Sequence, residues 1–131
     1  MQKALIIDDE RLARNELKKL LLEFPEIEVV GEAANATEGL EKIENLSPDL
    51  IFLDIQMPGK QGNDLCKELK ANPLTSNIPV IFLSGKDDAP KLAAESCADG
   101  CISKPFDSDM VIAEIERILA GPNHLSFHSC S

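Results

Sequence analysis

Leu50-Ile51-Phe52-Leu53-Asp54, running into the turn Ile55-Gln56-Met57-Pro58-Gly59, is the most apolar strand-like stretch of the chain, and it stops at a carboxylate. A short apolar run with no polar face fits a strand covered on both sides. An aspartate at the tip of such a strand is costly to desolvate, so its position requires a cause. The same ending recurs elsewhere. Ala4-Leu5-Ile6-Ile7 stops at Asp8-Asp9, Phe82-Leu83 stops at Ser84, and Cys101-Ile102-Ser103 is followed by Lys104. Strands that end on charged or hydroxyl side chains imply one shared site at one end of a sheet.

Working outward, apolar runs at 4–7, 27–30, 50–53, 78–83 and 101–102 read as strands. Helical periodicities separate them. Ala13, Leu17, Leu20, Leu21 and Phe24 predict an amphipathic helix over 11–22. Ala36, Leu40 and Ile43 form the next stripe, where Asn35 followed by Glu38 resembles a capping box. Leu65, Cys66 and Leu69 give a third helix, ended before Asn72-Pro73. Residues 90–97 form a weaker fourth, and Val111, Ile112, Ile115, Ile118 and Leu119 a fifth that Gly121-Pro122 stops. Strict β-α alternation predicts a parallel sheet with helices on both faces. In such sheets the functional crevice lies beyond the carboxyl ends of the strands, where the strand order reverses.

The totals narrow the function. The chain of 131 residues fits one domain, with 44% hydrophobic and 27% charged residues, an ordinary globular balance. A net charge of −10 and no aromatics beyond five Phe argue against direct nucleic-acid binding. No run of eighteen apolar residues is present, so no membrane insertion is expected, and the acidic pair at residue 8 leaves no room for a secretory signal. The four cysteines are scattered, which suits a reducing cytoplasm, with Cys97 and Cys101 read as small buried hydrophobes. His124, His128 and Cys130 supply no fourth zinc ligand.

Asp8, Asp9 and Asp54 gathered together would repel, so some of their pKa values must rise unless a cation binds. A hard divalent ion such as Mg2+ meets that need, holding carboxylates, waters and often a phosphate. Ser84 offers a hydroxyl, Lys104 a point charge for a phosphate oxygen, and Gly85 room for the backbone to approach an anion. A carboxylate nucleophile with a metal and these clamps describes phosphoryl transfer to Asp54.

Four motifs in order carry a family resemblance: Ile6-Ile7-Asp8-Asp9-Glu10, Leu53-Asp54-Ile55-Gln56-Met57-Pro58-Gly59, Phe82-Leu83-Ser84-Gly85 and Ser103-Lys104-Pro105-Phe106. The chain resembles the receiver domain of two-component response regulators from about residue 2 to 119. The resemblance implies a flavodoxin-like doubly wound (βα)5 fold of order 2-1-3-4-5 with five helices, a receiver domain over 1–121 and a flexible tail over 122–131. It implies that Asp54 accepts a phosphoryl group from the phosphohistidine of a sensor histidine kinase or phosphotransfer protein. Asp9, Asp54 and the Gln56 backbone carbonyl would ligate Mg2+ directly, Asp8 through a metal-bound water. Ser84 would be the hydroxyl switch, and Lys104 would pair with Asp54 or the phosphoryl oxygens across a cis Lys104-Pro105 peptide. Cytoplasmic location, a downstream effector protein and homodimerisation on phosphorylation follow from the same likeness.

The first half looks like receivers attached to LytTR-type DNA-binding domains, and the second half more like stand-alone or hybrid receivers. A piece of a longer LytTR-type regulator and a phosphorelay intermediate are therefore the alternatives. Cys101 stands where the family usually has an aromatic switch residue, which leaves the hydroxyl half of that coupling in Ser84. Phe106 is either core packing or part of the kinase docking surface. Arg11 and Arg14 read as a solvated helix face, and Gln56 and Lys86 as residues that govern access of water. A phosphohydrolase of related chemistry would need an acid-base aspartate two residues after the nucleophile, where this chain has Gln56. The domain would thus catalyse only its own phosphorylation and dephosphorylation.

Overall fold

The computed structural model describes residues 1–55, 57, 59, 62–85 and 98–120. Its elements are β1 (Gln2–Ile7), α1 (Arg11–Leu21), β2 (Ile27–Ala33), α2 (Ala36–Leu46), β3 (Leu50–Asp54), α3 (Gly62–Ala71), β4 (Val80–Ser84), β5 (Gly100–Ser103) and α4 (Ser108–Leu119). The strands form one parallel sheet in the order β2-β1-β3-β4-β5. This is the doubly wound, flavodoxin-like order expected of the chain. The expected helix over 90–97 and the tail over 122–131 lie outside the described residues, so α4 corresponds to the fifth helix of the sequence pattern.

Successive side chains of a strand point to opposite faces, and this divides the core in two. Leu5, Ile7, Ile51, Leu53 and Phe82 pack under Ile43 of α2 and Leu65, Cys66 and Leu69 of α3. Ala4, Ile6, Phe52, Ile81 and Leu83 pack under Leu17 and Leu21 of α1 and Val111 and Ile115 of α4. Both β3 and β4 are buried along their whole length, which explains apolar runs without alternation.

Local chemistry sets the element ends. Asn35 caps α2 by accepting from Glu38 N at 2.9 Å, while Glu38 reaches back to Ala34 N at 2.7 Å, one residue earlier than in the standard box. Asp107 caps α4 by accepting from Asp109 N and Met110 N. β4 starts at Val80 rather than at 78, because Ile78 N donates to Thr75 O in a turn and Pro79 has no N–H to give. β2 runs on to Ala33 through a bulge, where Ala4 pairs with Val29 and Leu5 with Gly31.

Candidate functional site

Strand register brings the expected residues together. Ile7 of β1 is level with Leu53 of β3, so Asp8 and Asp54 leave the sheet side by side. Asp54 is level with Leu83 of β4, and Ser84 is level with Ser103 of β5, which sets Lys104 one step beyond. The chain turns from β1 to β2 on one side and to β3 on the other, and this reversal opens the crevice between Asp8 and Asp54.

Asp8 and Asp54 are buried, and Asp9 is exposed at the mouth. One carboxylate oxygen from each of the three lies within 4.8 Å of the others. Lys104 Nζ stands 2.9 Å from Asp8 Oδ2, 2.8 Å from Glu10 Oε1 and 3.7 Å from Asp54 Oδ1. The ammonium is thus nearer to Asp8 and Glu10 than to Asp54. Burial, then the charge of Asp8 and a shared hydrogen bond with Asp9, push the Asp54 carboxyl up to about 8 against the pull of Lys104. Burial works against the charge on Lys104, but the hydrogen bond to Glu10, the close Asp8 carboxylate and the charge of Asp54 outweigh it and raise its pKa.

These residues fit a hard divalent cation. Among the described residues, no group hydrogen-bonds Asp8 Oδ2 in good geometry, although the atom is buried and Lys104 is close. The donor set is all oxygen, carries excess negative charge and opens to solvent through Asp9. The Gln56 carbonyl, named above as a further ligand, lies outside the described residues, as do Lys86 and Cys97.

The supporting residues were less legible. Asp8 Oδ1 accepts from Glu10 N at 2.8 Å, and the Asp8 carbonyl accepts from Arg14 Nη1 at 2.7 Å. Arg14 also donates to Glu32 at 3.0 Å, where Lys18 joins at 2.7 Å. Burial opposes the charge on Glu32, yet these two partners hold its pKa below the usual carboxylate value. Arg14 is therefore not part of a solvated face: it fastens the Asp8 loop to the neighbouring strand. Gly62 is a steric requirement, since a Cβ there would run into the Asp54 carbonyl oxygen and Ile55 Cα. Its N–H donates to Ile55 O at 2.8 Å, which closes the turn after β3.

Ser84 is buried at the end of β4, and its carbonyl accepts from Lys104 N at 2.8 Å. Its Oγ lies 3.8 Å from Cys101 Sγ. Cys101 is buried in the core as expected, but it is disulfide-bonded, which corrects its reading as a small hydrophobe without redox chemistry. The Lys104-Pro105 peptide is cis. Phe106 packs partly buried against the α1–α4 face. It also edges a cavity of about 470 Å³ that Glu10, Leu12, Ala13, Glu16, Lys104 and Pro105 line. No helix among the described residues is long and apolar enough to cross a membrane.

Known proteins resemble this chain in sequence and fold. An uncharacterised response regulatory protein of Vibrio cholerae is 43% identical over 119 residues, covering 91% of this chain and 49% of that protein. The sensory transduction protein LytT of Bacillus cereus is 36% identical over 118 residues, covering 89% of this chain and 47% of that protein. The chain thus spans about half the length of the curated relatives it matches. The crystal structure of the signal receiver domain of a DNA-binding response regulator from Colwellia psychrerythraea superposes with a TM-score of 0.80 at 27% identity, covering 92% of this chain and all of that one. Residues 4–116 match the response regulator receiver domain as a family, and with the acidic crevice at the switch point of the sheet they establish that the chain belongs to it.

Proposed function

We propose that this receiver domain accepts a phosphoryl group on Asp54 from the phosphohistidine of a sensor histidine kinase or phosphotransfer protein. One Asp54 carboxylate oxygen attacks phosphorus. An O–P bond forms as the N–P bond of the phosphoimidazole breaks, and the leaving nitrogen keeps the electron pair. The product is an acyl phosphate, which water later hydrolyses. Asp8, Asp9 and Asp54, with the Gln56 carbonyl, would hold Mg2+. When bound, the ion neutralises the clustered carboxylates and the incoming phosphoryl oxygens. Ser84 donates its hydroxyl to one phosphoryl oxygen and Lys104 its ammonium to another. Phosphorylation then favours one of two pre-existing arrangements of the surface around Ser84, which changes what an effector protein or a second copy can bind. The domain is a signalling module over 1–121 followed by a tail, works in the cytoplasm, and turns over no substrate beyond its own phosphoryl group.

The observation that carries this reading is the meeting of three carboxylates within 4.8 Å with a lysine at 2.9 Å from Asp8. Acetyl phosphate and Mg2+ should add one phosphoryl mass to the wild-type chain and none to Asp54→Ala, read by intact mass. An adduct that persists in Asp54→Ala would overturn the assignment.

A further inference from the structure

We infer that Glu10 is a positioning residue that parks the Lys104 ammonium away from Asp54 until a phosphoryl group arrives. This rests on the phosphoacceptor reading above and goes beyond it. Glu10 occupies the N-cap position of α1, with extended backbone angles (φ −95, ψ 112), yet its side chain makes no capping hydrogen bond. Short side chains such as Ser, Thr, Asp and Asn cap a helix at that position, and the longer Glu10 side chain does not. Glu10 instead reaches away, to Lys104 Nζ at 2.8 Å. The Glu10 carboxylate is therefore committed to Lys104 rather than to its own helix.

Geometry sets what the pair does. Lys104 is held by Glu10 and Asp8 at 2.8 and 2.9 Å, while Asp54 Oδ1 stands at 3.7 Å, beyond a good hydrogen bond. Asp8 is fixed at the end of β1, and its Oδ1 is engaged by Glu10 N. Glu10 has 63% of its side chain exposed, so it is the partner free to let go. A phosphoryl group on Asp54 adds negative charge and new acceptors beside Nζ, and the ammonium then exchanges Glu10 for a phosphoryl oxygen. The released carboxylate then stands without its cation on the rim of the cavity that it lines with Leu12 and Phe106.

The test compares Glu10→Gln and Glu10→Asp with Glu16→Gln, which removes a charge from the same rim. Aspartate keeps the charge but is shorter by about 1.5 Å, one carbon–carbon bond, and so cannot span to Nζ. Both Glu10 variants should take up phosphoryl from acetyl phosphate with Mg2+ about three- to tenfold faster than wild type, with Glu16→Gln below twofold. The Lys104 side-chain ¹⁵Nζ signal, followed by NMR without any phosphodonor, should be observable in wild type and exchange-broadened in both Glu10 variants. A Glu10→Asp protein with the wild-type rate, or a Lys104 signal unchanged by both substitutions, would overturn the inference. The NMR arm is independent of phosphorylation. A wild-type chain that takes up no phosphoryl would sink the proposed function and leave that arm to decide the role of Glu10.

Discussion

Burial and the neighbouring Asp8 push the Asp54 carboxyl up to about 8, whereas an ordinary aspartate titrates near 3.8. Between those values the folded state binds more protons than the unfolded state, so stability falls as pH rises from about 4 to 8. Asp54→Asn removes that liability. The variant should exceed wild type by about 1–3 kcal/mol at pH 8 without divalent cations, and by little at pH 4, in urea denaturation. This lies below the full shift because the crevice opens to water through Asp9. Adding Mg2+ should narrow the gap at pH 8, since only wild type gains a full set of ligands. A pH-independent gain would show that burial and the neighbouring carboxylates do not raise the Asp54 pKa. The residue scale is also where sequence reading met its limit. Asp8, Asp9, Asp54, Ser84 and Lys104 were legible because each ends or follows an apolar strand. Glu10 and Arg14 were not, because a charged residue at a helix start is identical in sequence whether it meets solvent or a partner. Their partners Lys104 and Glu32 come from distant parts of the chain.

At the scale of elements, the β3–α3 connection follows Asp54, the proposed acceptor, and among its described residues Gly62 makes the closest approach to that strand end. Gly62→Ala must push the Asp54 carbonyl or the Ile55 backbone aside, neither of which is a flexible side-chain end. A loss of about 1–3 kcal/mol is expected in urea denaturation, together with slower phosphorylation because the backbone that carries the Asp54 side chain moves. Unchanged stability would mean that α3 shifts freely relative to β3. Strand positions were readable from apolar runs, since burial on both faces leaves no polar residue to confuse them. Their limits were not. The bulge that carries β2 past Gly31 to Ala33 depends on pairing with β1, and the late start of β4 depends on a turn that claims Ile78 N.

Across the whole molecule, the two edges of the sheet are treated differently. On the β5 edge, buried Glu114 accepts from Cys101 N at 2.8 Å, and Arg117 donates to Asp99 O at 2.8 Å, so α4 covers that edge. Glu114→Ala takes the acceptor from a buried N–H and should cost about 1–3 kcal/mol, while Glu114→Gln, which keeps an accepting oxygen, should cost less. Equal losses in thermal or urea denaturation would show that the charge rather than the acceptor matters. The β2 edge carries an exposed Glu28 beside its bulge, which discourages pairing with another strand. Between these edges, β3 is bonded on both sides, to β1 and to β4. Asp54, the proposed acceptor, therefore ends a strand paired on both sides, where amide exchange is expected to be among the slowest in the sheet. An acceptor so anchored cannot travel to meet its donor. Under the proposed function, donor, cation and hydrolysing water must all come to Asp54, and the lifetime of the signal is then decided at the mouth of the crevice rather than at its floor.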